Sequence, residues 1–480
     1  MIKDNGVIVD LRVYKKNERL FIKGFIMGIS SLGVGSGILT QSLLDKLRTA
    51  DEASQVKPTD LNIVSVKDKQ ASYSLLDATM TNLTDSITAM KTQSLFDERK
   101  ATVTGTSVSV IASANSDKQS FTLNVTQLAT KQIEESGSFA VATDKIASAA
   151  GSVDLAINGK NFTVNYDATT TIDDFKKAIN TAAGTDVNAT IVQVATGDFR
   201  LFATSANTGT TQDITITDTT GNLLDTRLTT GLTAIQTGVD ANFDFNGQAI
   251  TRTSNNVTDL ITGYDITLNE LGSSTVKVEQ NKDSILAKVD SFISKYNDAV
   301  KELNKYTKVS SDSTTRGIFS TDSSIKALRT TVNNLVKNVG GGVGSLLDYG
   351  FDVTQDGTMS VDKTVLNTKL DANPTNFKSF FTGGDYTDAA GTVTTLKGAF
   401  VEMSTSVEAY TAFNGMLDQF NTSLSDNLKS LEDRRVKAVE RLDSKYSIMK
   451  KQFAAYDAVI NRLNSTSSLL TQLTNSKSGQ

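Results

Sequence analysis

The residues best suited to chemistry at neutral pH are missing from this chain. Across 480 positions there is no Cys, no His and no Trp, which removes the thiolate nucleophile, the imidazole base and the usual zinc ligands. Ser-His-Asp, Cys-His and HExxH arrangements are therefore excluded. Oxygen and amine chemistry remains: paired carboxylates working as in a glycosidase, a Ser-Lys pair, or an oxygen-ligand cation site. No paired Asp/Glu cleft can be located along the sequence, and the expectation is a protein with no catalytic residues, no cofactor and no metal.

Three stretches imitate sites. "DVTQDGTMSVDK", from Asp352 to Lys363, has the outline of a calcium loop, but Thr354 stands third and Lys363 twelfth, where a bidentate Glu is needed. It is expected to be a hairpin turning at Asp356-Gly357. "GVGSG" (Gly33 to Gly37) and "GGGVG" (Gly340 to Gly344) lack both the GxGxxG spacing and the Lys-Ser/Thr of a phosphate loop, so both read as flexible linkers. Tyr446, Phe453 and Tyr456 could form a recognition stripe, yet their spacing puts them in a helical seam.

The elements that carry these residues follow from periodicity. Leu442, Tyr446, Met449, Phe453, Tyr456, Ile460, Leu463 and Leu470 recur at alternating steps of four and three, interrupted at Ser467, as in a heptad a/d seam. Upstream, Leu424, Leu428 and Leu431 follow a shifted register, as a stutter produces, and "EDRRVKAVERLDSK" reads as a solvated, charge-laced face. Leu76, Met80, Leu83, Ile87 and Met90 repeat the pattern near the other end, preceded by Leu61, Val64, Ala71 and Leu75. Only Pro58 and Pro374 interrupt the chain, and both fall between apolar-periodic stretches. Behind a flexible Gly/Ser lead, Ile38, Leu39, Leu43, Leu44 and Leu47 form the apolar face of an amphipathic helix. This face and the seam from Leu442 to Leu463 are the candidate assembly residues.

From about Thr102 to Gln280 the composition shifts to Thr, Ser, Asn, Val and Ile, with alternating runs "FTLNVTQL", "FTVNY", "DITITD" and "STVKVEQ", which predict strands. Within it, "AINGKNFTVNYDATTTIDDFKKAIN" and "DFNGQAITRTSNNVTDLITGYDITL" share an order of strand, Asn-Gly turn, strand and short helix, suggesting a degenerate repeat. The expected fold class is α+β: a discontinuous helical coiled-coil stalk built from both termini, with a β-rich head inserted in the middle. The expected divisions are 1–26, an upstream extension; 27–60, a flexible arm and assembly helix; and 61–101, an N-terminal stalk helix. Residues 102–280 are the head, with an inner part of 102–145 and 236–280 and an outer module of 146–235. Residues 281–415 are stalk helices and the hairpin, and 416–480 a coiled coil with a disordered tail.

A formal charge of −5 with mixed Lys, Arg, Asp and Glu offers no basic stripe for nucleic acid. No run approaches the roughly 20 apolar residues of a membrane span, and the first residues do not form a secretory signal peptide. An isolated terminal helix of this kind is not stable alone, so both ends are expected to order on assembly.

Four stretches resemble the bacterial flagellar filament cap family, also called flagellar hook-associated protein 2. They are "GVGSGILTQSLLDKL", "FTLNVTQLATKQIEESGSF", "LLDYGFDVTQDGTMSVDKTVLNTKLDANPTNFKSFFTG" and "SLEDRRVKAVERLDSKYSIMKKQFAAYDAVINRLNSTSSLL". In addition, "GSVDLAINGKNFTVNYDATTTIDDFKKAINTAAG" is similar to a module shared by flagellins and cap proteins. The resemblance implies a secreted, non-enzymatic protein forming a homo-oligomeric ring at the distal filament tip. Its stalk would contact flagellin, and its head would keep exported flagellin from being lost. It also implies export through the flagellar type III apparatus with a dedicated chaperone. Within the same system the rivals are a flagellin or a hook-filament junction protein; outside it, a surface adhesin fits the β-rich head. Met27 resembles the family's first residue, so residues 1–26, which read as a strand pair, are expected to be an upstream start-site extension, the alternative being an appended hairpin.

With no imidazole or thiol present, assembly of this chain is expected to show no step between about pH 6 and 8 from any unperturbed side chain. Light scattering across that range checks this; a transition centred near 6.5 would contradict it.

Overall fold

The computed structural model describes residues 32–223, 226–337 and 339–477. The proposed upstream extension, residues 1–26, and Met27 lie outside the described residues. Among those described, the helices are α1 (Gln41–Gln55), α2 (Lys57–Lys91), α3 (Ile172–Ala183), α4 (Lys282–Thr307) and α5 (Ser323–Asn334). They continue with α6 (Lys363–Ala372), α7 (Pro374–Thr382), α8 (Ala399–Thr411) and α9 (Met416–Lys477). Helical ends around a β-rich middle bear out the α+β expectation.

The chain divides into two compact units. The first joins the residues up to Thr81, Lys301–Thr331 and Glu408–Gln480, and so draws on both ends of the chain. The second comprises Asn82–Val300 and Val332–Val407.

In the second unit the strands begin with β1 (Arg99–Thr104), β2 (Val108–Ala112) and β3 (Gln119–Gln127). Next come β4 (Lys131–Glu135), β5 (Gly151–Ile157), β6 (Lys160–Tyr166), β7 (Val187–Ala195), β8 (Asp198–Thr208), β9 (Thr215–Asp218) and β10 (Thr233–Gln236). The chain then returns through β11 (Ala241–Phe245), β12 (Gln248–Arg252), β13 (Asn256–Val257), β14 (Tyr264–Leu268) and β15 (Gly272–Gln280). A five-stranded sheet, β1-β15-β3-β11-β12, and a three-stranded one, β13-β14-β2, share a core that includes Phe121, Leu123, Phe243, Tyr264, Ile266 and Val276. Alternation of apolar and polar residues along β3 and β15 puts every second side chain into it.

The outer module has its own core. Sheets β10-β4-β8-β7 and β6-β5-β9 close around Phe139, Leu155, Ile172, Phe175, Ile179 and Leu201. Helix α3 starts where Thr171 and Asp174 cap each other, Thr171 Oγ accepting from Asp174 N at 3.2 Å and Asp174 Oδ2 from Thr171 N at 3.5 Å. Strand β4 pairs with β8 in the outer sheet and Phe139 lies in the outer core, although both precede residue 146, where the outer module is expected to begin. The polar appearance of β4 concealed this, because its inward residues are Gln132 and Glu134.

Both Asn-Gly pairs turn hairpins, with φ of +48° and +71° at Asn158-Gly159 and +49° and +85° at Asn246-Gly247. The repeat ends there. No helix follows the second hairpin; "TDLITGY" turns at Gly263 after too few residues to pass the cost of helix nucleation.

The hairpin β16 (Phe351–Val353) and β17 (Met359–Val361) forms where expected. The Asp356 carboxylate at its turn is occupied, accepting from Thr358 N at 3.4 Å and Thr358 Oγ at 3.2 Å. Behind it, Asn297 on α4 behaves like a short strand: its Oδ1 accepts from Met359 N at 2.7 Å and its Nδ2 donates to Met359 O at 2.9 Å. An aromatic cluster of Phe96, Tyr349, Phe377, Phe380, Phe381 and Phe400 packs nearby in the same unit, with Phe377 and Phe381 stacked at 4.6 Å.

Asn297→Ala removes both bonds to a buried residue. The expected loss is about 1–3 kcal/mol in urea unfolding of the second unit; an unchanged midpoint would show that Met359 finds other partners.

Candidate assembly surface of the terminal helices

In the first unit, α1 and the first half of α2 run antiparallel to α9, as a ladder of polar contacts records. Lys445 Nζ lies 2.7 Å from Asp51, Arg435 Nε 2.6 Å from Asp60, and Lys67 Nζ 3.4 Å from Glu432. Such exposed pairs each contribute little, and burial does more. Leu44 and Val56 pack on Ala438, Leu442 and Tyr446, with Leu32, Val439, Met449 and Phe453 around them. Burial pushes the Tyr446 phenol up to about 12, helped by its hydrogen bond to Asp51 at 2.7 Å. Lys445 and then Tyr446 hold the Asp51 carboxyl below its ordinary value.

The candidate residues divide between two environments. Leu44, Leu442 and Tyr446 are buried, and Leu39, Leu43, Met449, Phe453 and Ile460 are half-buried. Ile38, Leu47, Tyr456 and Leu463 are exposed. On α2 the inward line is Ile63, Val66, Tyr73, Leu76 and Met80. Leu61, Val64, Ala71 and Leu75, expected to lead into the seam, instead lie on the solvent side. Phe413, ahead of α9, is 90% exposed.

The seam of α9 departs from strict heptads. After Phe453 the next buried residue is Asp457, four positions on, whereas alternation would put Tyr456 there. A straight helix at 3.6 residues per turn drifts about 20° per heptad, and an additional step of four absorbs that drift. It brings a carboxylate inward and turns Tyr456 out.

Asp457 is only 1% exposed, and its acidic type gives no sign of that in the seam's periodicity. Its Oδ2 accepts from Gly33 N and Gly35 N, each at 3.1 Å, and its Oδ1 from Ser36 N at 2.9 Å. These amides, Gly35 foremost, hold the carboxyl below its ordinary value against the opposing effect of burial. Each glycine has a reason. Gly33 and Gly37 adopt φ of +92° and +66°, while a Cβ on Gly35 would lie 2.4 Å from Asp457 O and 2.9 Å from Asn461 N. Asn464 Nδ2 donates to Gly35 O at 2.9 Å. The segment expected to be a flexible linker is thus a built turn.

Helix α9 also continues to Lys477, where a disordered tail was expected. No Gly or Pro interrupts it, and Ser465, Thr466 and Thr471 hydroxyls each donate to the carbonyl four residues back.

Two family models match the chain. The one described as flagellar hook-associated protein 2 N-terminus covers residues 36–132, and the one described as its C-terminus covers 238–465. Together they take in well over half of the sequence. The chain belongs to the flagellar hook-associated protein 2 family.

Among family members, that of Helicobacter pylori (strain J99) is 31% identical over 238 residues, which is 48% of this chain and 35% of the relative. That of Escherichia coli K12 is 25% identical over 467 residues, 92% of this chain and 97% of the relative. The chain thus spans about a third of the length of the first curated relatives it matches. The crystal structure of the Escherichia coli flagellar cap protein, comprising its D1, D2 and D3 domains, shares the fold. Its TM-score is 0.58 at 19% identity, over 74% of this chain and 99% of that one. Residues 133–237, between the two hook-associated protein 2 matches, hold most of the outer module.

The Asp457 and Asp51 carboxyls titrate below the ordinary aspartate value of 3.8. Their stabilising contribution is therefore complete above that pH and is lost as pH falls through the lower folded-state values. Amide exchange at Gly33, Gly35 and Ser36 should stay slow from neutrality to about pH 4 and accelerate beyond the intrinsic trend below it. Loss of protection on raising the pH would contradict this assignment.

Proposed function

We propose that this protein caps the distal tip of a bacterial flagellar filament, as a secreted, non-enzymatic ring of identical subunits that promotes flagellin polymerisation and retains exported flagellin. Membership of the hook-associated protein 2 family supports the reading, as does the name of the structure that shares its fold, a flagellar cap protein.

The observation that carries it is the first unit's surface. Leu61, Val64, Tyr456, Val459 and Leu463 are large apolar side chains left in solvent on helices whose other faces are packed, and Ile38 is exposed just ahead of α1. Exposed apolar residues along a continuous helix face suit contact with further helices, supplied by neighbouring subunits or by flagellin. The export route is the flagellar type III apparatus, with a dedicated chaperone. The lack of Cys agrees with a chain that must stay unfolded in transit, and no helix among the described residues is long and apolar enough to cross a membrane.

Labelled protein should appear at filament tips by electron microscopy, and a strain lacking it should shed monomeric flagellin into the medium. Label along the whole filament would refute capping. The double variant Tyr456→Asp, Leu463→Asp changes only exposed positions. It should keep the circular dichroism of the parent while losing oligomerisation and filament growth, and normal filaments from it would remove these helices from the interface.

A further inference from the structure

Along the outer part of α9, past Phe453, the chain's two ends meet through polar contacts. Asp457 is buried between exposed neighbours, Tyr456 and Val459 among them. Its carboxylate takes amides from three residues more than 420 positions away in sequence. The turn it holds is internally complete: Gly37 N donates to Gly33 O at 3.0 Å, and Ser36 Oγ accepts from Leu39 N at 3.1 Å and Ile38 N at 3.3 Å. Thr40 then caps α1, accepting from Leu43 N at 3.3 Å. Successive amides pointing at one anion form the concave "nest" seen where backbone binds phosphate; here the anion is a side chain of the same chain.

We propose that Asp457 and the Gly33–Gly37 turn form a specific clasp that positions the start of the N-terminal arm on α9, and that assembly depends on it. The carboxylate supplies charge-matched acceptors, Gly35 supplies the close approach, and Asn464 secures the opposite side of the peptide through Gly35 O. An apolar residue at 457 would suit the seam equally well but would leave three amides facing hydrocarbon. An asparagine offers a single acceptor oxygen and turns an NH₂ toward donors. An alanine at 35 leaves the carboxylate intact yet keeps the backbones apart.

The proposal rests on the capping reading only for its consequence in assembly; the clasp itself is tested on the free full-length chain. Amide exchange at Gly33, Gly35 and Ser36 is measured in the parent, Asp457→Asn, Gly35→Ala and the double variant, with the amides around Phe381 in the second unit as internal reference. Each single variant should speed exchange at the three sites by at least about ten-fold, the order of one charge-assisted hydrogen bond. The reference amides should not change. Because both substitutions break one device, the double variant should be no faster than the worse single one; general destabilisation would instead add and would move the reference amides.

Unchanged exchange in Asp457→Asn, or additive losses, overturns the clasp. In cells, both single variants should raise flagellin in the medium to a similar extent, and normal retention by both would overturn the dependence of assembly on it. Should the parent chain itself fail to retain flagellin while its clasp amides are protected, the capping reading fails and the clasp stands.

Discussion

A carboxylate placed in a helical seam must find donors or leave the protein's interior, and the terminal region is arranged around one that finds them. Asp457 is reached because α9 steps by four after Phe453, correcting the drift between 3.6 residues per turn and a 3.5-residue pattern. Three consequences follow from that one step. Tyr456 turns to solvent, the Gly33–Gly37 segment is drawn onto the helix, and α1 follows its Thr40 cap with its chain direction already set. The surface left for other molecules is in this sense the remainder of an intramolecular requirement.

Where neighbouring residues decide the structure, the sequence was legible. Strands β3, β6, β9 and β15 fall on the alternating runs, both Asn-Gly pairs turn hairpins, and Leu76, Met80, Leu83, Ile87 and Met90 are all fully buried. What escaped was decided by distant partners. Nothing near Gly35 announces that α9 will lie against it, and nothing in "KQIEE" announces that β4 pairs with β8. Leu61, Val64 and Leu75 keep a helical spacing, but spacing alone cannot say which of two apolar lines on α2 faces inward. Of the candidate assembly residues, Leu44, Leu442 and Tyr446 serve the subunit's own packing, a distinction periodicity does not carry.

The carboxylates of this chain have a recurrent structural use. Many are committed to backbone amides. Asp362 caps α6 through Thr364 N and Val365 N, Asp348 accepts from Ser345 N, Asp144 from Ala140 N and Val141 N, and Asp457 from its three donors. An aspartate whose oxygens accept from main-chain amides fixes the loop that supplies them. With imidazole and thiol absent, the polar chemistry of the described residues is largely the chemistry of holding the main chain in place.

The hydroxyl groups on the last turns of α9 have a further effect. Ser465, Thr466 and Thr471 direct their protons back to the helix's own carbonyls, so those donors are already used. A helix packing against this stretch meets hydroxyls whose single donor is already used and whose lone pairs alone face outward.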